Sequence, residues 1–300
     1  MDSAKRMVLI DGYAQIYRSF HAIQGLTGPA GEPTNALYGV ARFLLRLEDR
    51  FPHTLGAMVL DKGAPRERLE ILPEYKAQRP PMPDELRQQV EPIREWATAS
   101  GWAVLEQEGC EADDLIAGIA AAVAADCEVL IVTHDKDLGQ LVDGEHVRIV
   151  APGKEGSFDV LGPAEVQAKF GVPPAAICDY LALVGDTSDN IPGVPGVGPK
   201  TAAALVAQFG SVEALLERLA EVSNPRIREL IAGNVEVLRR NLRLVRLPRV
   251  LPAEWRGIET LARRPPEWDR LLALARSHGL KSLVTALEKR RQDARNPTLF

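Results

Sequence analysis

The chain has 300 residues, room for one large domain or a main domain with a smaller appendage. Apolar residues make up 46% and charged residues 26%, the balance of an ordinary globular protein; the alanine-rich stretch Leu115–Ala125 is too short to span a bilayer, so no membrane partner is expected. The net charge of −5 argues at first against a polyanionic partner, but if nine of the acids gather in one metal site, the remainder of the chain is net positive.

Met1–Arg6 is followed only by Met7–Ile10 before Asp11, which reads as a strand and not as a signal-peptide core. Cys110, Cys127 and Cys178 lack metal-ligand spacing and read as reduced thiols of a cytoplasmic protein. Cys110, beside Glu111, is assigned to packing.

The apolar run Met7–Ile10 predicts a strand ending in a turn at Asp11-Gly12. Thr34–Arg50 places Leu37, Val40, Ala41, Leu44 and Leu47 at helical spacing. A second strand, Ala57–Leu60, ends at Asp61. Residues 62–92 hold six prolines and several cations, and read as an exposed excursion with one short helix. Trp102–Leu105 predicts a third strand, and Glu111-Ala-Asp-Asp114 opens an alanine-rich helix to about Ala125. Val129–Thr133 is the next strand, followed at once by Asp135-Lys-Asp137, and Val147–Val150 another. Helices are predicted at about 163–170, 174–184 and 200–208, and 211–290 reads as mostly helical, with a possible extended piece at Pro248–Pro252. The alternation predicts an α/β core with a central, largely parallel sheet flanked by helices, and a helical module beside it.

Asp11, Asp61 and the pair Asp135/Asp137 each follow a predicted strand. Ligand sites of open α/β sheets gather beyond the carboxyl ends of strands, so separate strands deliver acids to one edge. Glu111, Asp113 and Asp114 sit at a helix start, where negative charge is tolerated. Any one of these aspartates alone is more readily a turn or cap residue. Together they would repel one another without a cation, and an all-oxygen set without histidine or cysteine suits Mg²⁺ or Mn²⁺ rather than zinc. Two such ions activate water and stabilise the leaving oxygen in phosphodiester hydrolysis.

Ile191-Pro-Gly193-Val-Pro-Gly196-Val-Gly198-Pro-Lys200-Thr201 joins two predicted helices. Glycines bring backbone N–H groups close to a phosphate, and the following helix points its N-terminus at it. Lys200 and Thr201 add side chains. Phosphate contact of this kind is independent of base sequence. Gly185-Asp186 and Asp189-Asn190 gain weight from lying just before this hairpin.

These motifs carry a resemblance. Leu9–Gly12, Tyr17–Ala22, Thr34–Gly39, Leu60-Asp61, Pro73–Pro83, Glu111–Asp114, Thr133–Leu138 and Leu183–Ala202 are similar, in order, to the 5′ nuclease (flap endonuclease) family, which includes the 5′→3′ exonuclease domain of bacterial DNA polymerase I. The similarity runs from about residue 7 to about 288. It implies a structure-selective 5′→3′ exonuclease and 5′-flap endonuclease with a PIN-like, 5′-nuclease fold, acting in primer removal and repair on DNA flaps and ends, RNA-primed ends included. It implies two Mg²⁺ ions, for which Mn²⁺ can substitute. Asp11, Asp61, Glu111 and Asp113 match the first metal site; Asp113, Asp135, Asp137 and Asp186 match the second; Asp114 and Asp189 are auxiliary. Tyr75, Lys76 and Arg79 match the base of the family's helical arch, and Arg18 a contact near the cleaved strand. Gly193, Gly196, Gly198, Lys200 and Thr201 match a DNA-binding helix-hairpin-helix that holds K⁺. His134 and the order Lys62-Gly-Ala-Pro65 depart from the family's usual pattern without removing a proposed ligand.

The expected organisation is a nuclease core over 1–170 with an arch-like excursion at about 62–95, a helical module over 171–290 with its helix-hairpin-helix at about 174–208, and a tail over 291–300. The chain reads as a monomeric, bacterial, nucleoid-associated protein, either standalone or excised from a polymerase. Asn296–Phe300 resembles peptides that dock on sliding clamps. Two alternatives carry weight at this point: an RNA-cleaving nuclease of related core, and a non-catalytic scaffold that binds DNA junctions. The hairpin argues against the first and the full acid set against the second.

Overall fold

The computed structural model describes residues 5–296. Strands β1 (Arg6–Asp11), β2 (Leu55–Val59), β3 (Ala103–Leu105), β4 (Glu128–Val132), β5 (Val147–Pro152) and β6 (Phe158–Leu161) form one sheet in the order β3-β2-β1-β4-β5-β6. All pairings are parallel except β5 with β6, an edge strand the sequence reading did not anticipate. In the central β1, Asp11 lies opposite Val59 and Ile10 opposite Val132. Met7, Val8, Leu9 and Ile10 are fully buried on alternate faces, which is why this strand is a continuous apolar run and not an alternating one.

The first helices are α1 (Gly12–Ala22), α2 (Asn35–Arg50), α3 (Arg66–Ile71), α4 (Asp84–Ala99) and α5 (Ala112–Val123). Then follow α6 (Pro163–Phe170), α7 (Ile177–Val184), the short antiparallel pair β7 (Gly185–Asp186) and β8 (Ile191–Pro192), and α8 (Pro199–Phe209). The chain continues through α9 (Val212–Glu217), α10 (Pro225–Ala232), α11 (Val235–Val245), α12 (Trp268–Ser277) and α13 (Lys281–Arg295). One face of the sheet packs on α1, α2, α4, α12 and α13; the other packs on α5 and on the helices α6 to α11.

Four expectations need correction. Asp11-Gly12 is not a turn after β1 but the start of α1, with the Asp11 carboxylate accepting from Ala14 N at 3.3 Å as a helix cap. The 62–92 segment holds α3 and much of α4, and α4 belongs to the core: Leu86, Ile93 and Trp96 are fully buried. Burial of Leu86 and of Ile93 contributes about 1.5–3 kcal/mol each. Prolines hid the helical period there, since Pro83 precedes α4 and Pro92 lies within it. Pro248–Pro252 forms no strand. Residues 291–295, expected as tail, are the last turn of α13; of the proposed clamp-docking segment Asn296–Phe300, residues 297–300 lie outside the described residues.

Asn241 on α11 braces the two segments that flank the Asp186–Asp189 loop. It is fully buried, and its amide donates to Ala182 O at 3.0 Å in α7 and to Pro192 O at 2.8 Å in β8. Among the described residues no helix is long and apolar enough to cross a membrane.

Candidate metal centre

The parallel strands deliver their acids as the sequence pattern predicts. Asp11 ends β1, Asp61 follows β2 by two residues, and Asp135 and Asp137 follow β4. Thr133 sets the spacing after β4: its hydroxyl donates to Asp11 Oδ2 at 2.8 Å and accepts from Asp135 N at 2.9 Å. Asp135 in turn accepts from Asp137 N at 2.8 Å. Asp61 accepts from Ala112 N at 2.8 Å, so it caps the start of α5 and is placed beside Asp113.

Asp11, Asp61, Asp113 and Asp135 line one cleft of about 360 Å³, with Lys76 and Arg79 on its rim. Burial and crowding together raise their affinity for protons. Burial pushes the Asp11 carboxyl up to about 7, helped by the charges of Asp61 and Asp135 and opposed by the Thr133 hydroxyl. Asp113 is raised well above the carboxylate range by burial and then by Asp135, Asp11 and Asp61. Burial and three neighbouring aspartates do the same to Asp137.

Beside this cleft, Asp137, Asp186 and Asp189 bring carboxylate oxygens within 4.8 Å of one another, and all three are buried. Oδ1 of Asp137 is buried without a hydrogen-bond partner. A buried acceptor left orphaned among like charges is unfavourable in a metal-free protein and natural for a ligand. An oxygen-only set of this density fits a hard divalent cation.

The segment 74–79 closes over the acids. Lys76 N donates to Asp189 O at 3.0 Å, Asn190 Nδ2 to Glu74 O at 2.7 Å, and Gln78 Nε2 to Thr187 O at 2.9 Å. Lys76 (φ 55°) and Asn190 (φ 58°) both occupy the left-handed region, an uncommon choice for side-chain-bearing residues, at the two turns that meet in this seam. Tyr75 is buried and its hydroxyl donates to Asp189 Oδ2 at 2.8 Å; Arg79 Nη2 donates to Asp189 Oδ1 at 2.7 Å. Lys76 Nζ donates to Glu111 and lies 3.6 Å from Asp189.

Asp114 is not brought into the cluster. Both of its oxygens accept from the Arg68 guanidinium, at 2.7 and 2.8 Å, on the far side of α5. Arg18 lies on α1 and donates to Gly153 O at 2.7 Å. Burial, and then the charge of Arg18, holds the His134 ring below the usual histidine range. In the hairpin, Val194 and Val197 are buried anchors, while Gly196, Gly198 and Lys200 are exposed, with Gly193 and Thr201 half-buried. A side chain on Gly193 would meet Val184 O at 2.1 Å, so this close approach requires glycine.

Three residues of the centre had no role in the sequence reading. Thr133 lies inside a quoted motif. Lys136 sits between two proposed ligands and pairs with Asp186 at 2.8 Å, a position that could have drawn attention. Arg68 gave no signal, because its surroundings read as a solvated basic loop.

Comparison with known proteins finds relatives of both halves of the chain. A family model described as 5′-3′ exonuclease, N-terminal resolvase-like domain, matches residues 6–171, and one described as 5′-3′ exonuclease, C-terminal SAM fold, matches residues 172–269. The 5′-3′ exonuclease of Aquifex aeolicus is 37% identical over 297 residues, covering 99% of this chain and 100% of its own. DNA polymerase I of Pseudomonas aeruginosa is 47% identical over 224 residues, 74% of this chain and 24% of the polymerase. The thermostable DNA polymerase I of Thermus aquaticus is 39% identical over 269 residues, 89% of this chain and 31% of its own. The chain thus spans a quarter to a third of the polymerases it matches. Among solved structures, T5 5′-exonuclease with bound divalent metal ions (zinc) superposes with a TM-score of 0.70 at 21% identity, over 95% of this chain and 99% of the other. The catalytic core of Rad2 in complex with DNA substrate gives 0.65 at 15%, over 95% and 93%. At these identities the two structures share the fold.

Proposed function

This chain belongs to the 5′-3′ exonuclease family of metal-dependent nucleases, and we propose that it hydrolyses DNA phosphodiester bonds at 5′ ends and 5′ flaps, RNA-primed ends included, with two divalent ions. The observation that carries this reading is the oxygen-only centre beyond the carboxyl ends of β1, β2 and β4, where Asp137, Asp186 and Asp189 crowd within 4.8 Å beside the Asp11–Asp61–Asp113–Asp135 cleft.

In this reading, Asp11, Asp61, Glu111 and Asp113 hold one ion, and Asp113, Asp135, Asp137 and Asp186 hold the other, with Asp189 as an auxiliary acid. Mg²⁺ suits the oxygen donors, and Mn²⁺ would substitute. The pair would supply an activated water and compensate charge on the leaving oxygen. The protein's own work is placement. Lys76 and Arg79, on the rim of the cleft, are positioned to release their carboxylates and take up the scissile phosphate, stabilising its developing charge. Tyr75 holds Asp189 while they move. The segment around 62–95 would act as an arch over the 5′ strand. Gly193, Gly196, Gly198, Lys200 and Thr201 would anchor duplex phosphates, with K⁺ as a further ion of the hairpin, and Arg18 would contact the strand near the cleft. Primer removal and repair are the settings this chemistry serves, inside a bacterial cell and as a monomer.

The test is cleavage of an end-labelled 5′-flap duplex by wild type and Asp135→Asn, in Mg²⁺ and in EDTA. Mg²⁺-dependent cleavage that Asp135→Asn abolishes is expected. Tight binding with no Mg²⁺-dependent cleavage by wild type would sink the reading.

A further inference from the structure

Asp113 and Asp114 are neighbours on the first turn of α5, yet their carboxylates serve different environments. Asp113 faces the acid cleft. Asp114 is buried behind it, with both oxygens occupied by Arg68: Nη1 donates to Oδ2 at 2.8 Å and Nη2 to Oδ1 at 2.7 Å. This is the two-pronged geometry that only a guanidinium supplies.

The same Nη1 stands 2.5 Å from Oε2 of Glu111, and Nε donates to Leu244 O at 3.3 Å on α11. Arg68 itself is only 8% exposed, so its guanidinium is spent entirely on these three partners. The other oxygen of Glu111 accepts from Lys76, on the side of the cleft. Glu111 Oε2 is thus held by Arg68, with the Tyr75 hydroxyl at 3.1 Å as a weaker second partner shared with Asp189, while Oε1 faces Lys76.

We infer that Arg68 is a positioning residue for Glu111, and that Asp114 is its counter-charge and not a metal ligand. The inference rests on the two-metal reading of the centre. Its physical logic is one of buried charge. A carboxylate that must ligate has to be held in one rotamer before the ion arrives, and partners behind a ligand of this kind fix its orientation and basicity. A lone buried arginine behind Glu111 would neutralise it as well as orient it. Asp114 absorbs that positive charge and leaves Glu111 its ligand character. Arg68 also belongs to α3, while Asp114 O accepts from Val250 N at 3.3 Å, so the grip joins α3, α5 and the chain after α11 at one point.

The experiment is Mn²⁺ titration of the full chain without DNA, by calorimetry and by electron paramagnetic resonance of free Mn²⁺, paired with kcat and KM on a 5′-flap duplex and a thermal melt. Asp114→Asn is expected to bind as many Mn²⁺ ions as wild type; loss of an ion would make Asp114 a ligand and overturn the inference. Arg68→Gln is expected to weaken Mn²⁺ binding by about 10-fold or more. It should lower kcat with KM nearly unchanged. Adding Asp114→Asn to Arg68→Gln should then lower neither quantity further, because Asp114 acts through Arg68. Mn²⁺ affinity and kcat of Arg68→Gln within twofold of wild type would overturn the positioning role. If Arg68→Gln melts without cooperativity, Arg68→Lys carries the test: it keeps the charge and loses the fork, so wild-type Mn²⁺ affinity in that variant overturns the inference. Failure of the wild type to bind Mn²⁺ at all would instead refute the metal reading beneath it.

Discussion

Tyr75 and Asp189 are joined by a 2.8 Å hydrogen bond, phenol to carboxylate, although 114 residues separate them in the chain. The bond closes the seam between segment 74–79 and the loop before the glycine hairpin. It makes Tyr75 a structural partner of the acids as well as a neighbour of Lys76, whose ammonium lies 5.0 Å from the ring centre.

Tyr75→Phe keeps the ring and its contacts with Arg68 and Lys76 and removes one donor. Turnover on a 5′-flap duplex is expected to fall roughly 10-fold, equivalent to about 1.4 kcal/mol of barrier. The melting temperature should move little. Unchanged kcat would show that Asp189 needs no donor from Tyr75.

Asp113→Asn separates activity from stability. The amide fills the same space without adding charge to a cleft that already holds Asp11, Asp61 and Asp135. In EDTA the variant should melt above wild type, by roughly 2–4 °C for each kcal/mol of repulsion relieved. In Mg²⁺ the order should reverse, because binding to the folded state stabilises the better binder. Cleavage should be lost. A lower melting temperature than wild type in EDTA would contradict the repulsion inferred for this cleft.

His53 predicts an acid-sensitive part of the stability. Its ring packs 4.8 Å from Trp102 and its Nδ1 lies 2.6 Å from Phe51 O; Nε2 is buried without a partner. Burial, with Arg263 and Arg6 nearby, pushes its pKa down to about 4 from the ordinary 6.5. The unfolded chain therefore binds this proton first. The stability contributed by a neutral His53 is complete above pH 6.5 and declines as the pH falls from 6.5 to 4, by about 1.4 kcal/mol per unit at most. Denaturant unfolding of wild type and His53→Gln across that range measures the difference. Parallel pH profiles would rule out this contribution.

Lys200 and Thr201 open α8 at the exposed end of the hairpin. Lys200→Ala should weaken binding of flap duplex in Ca²⁺ uniformly across base sequences and reduce the slope of log affinity against log salt by about 1. Mn²⁺ binding at the acid centre should be unaffected. A salt slope equal to that of wild type would place Lys200 away from phosphate.

The acids were legible because each sits at a strand end or helix start, positions marked by apolar runs and turn residues that a linear reading can find. The hairpin was legible for the same reason. Lys76 and Arg79 came only from family resemblance, since their partners Glu111 and Asp189 lie on other elements. The pairing of the auxiliary acid Asp114 with Arg68 was not legible, because sequence adjacency to Asp113 says nothing about which side of α5 each carboxylate takes. α4 was misread because Pro83 and Pro92 look like loop punctuation, while the buried Leu86, Ile93 and Trp96 that justify the helix are spaced across it.

The two hydrogen bonds of Asn241 set the extent of the catalytic frame. Every carboxylate of the centre lies before residue 190, yet the arms that carry Asp186 and Asp189 are held in register by a side chain some fifty residues further on. α11 is therefore a splint on the acid centre, and the structural unit does not end with the last of its carboxylates. A fragment trimmed to the chemistry alone would contain all the reactive groups and lose the brace that aligns them.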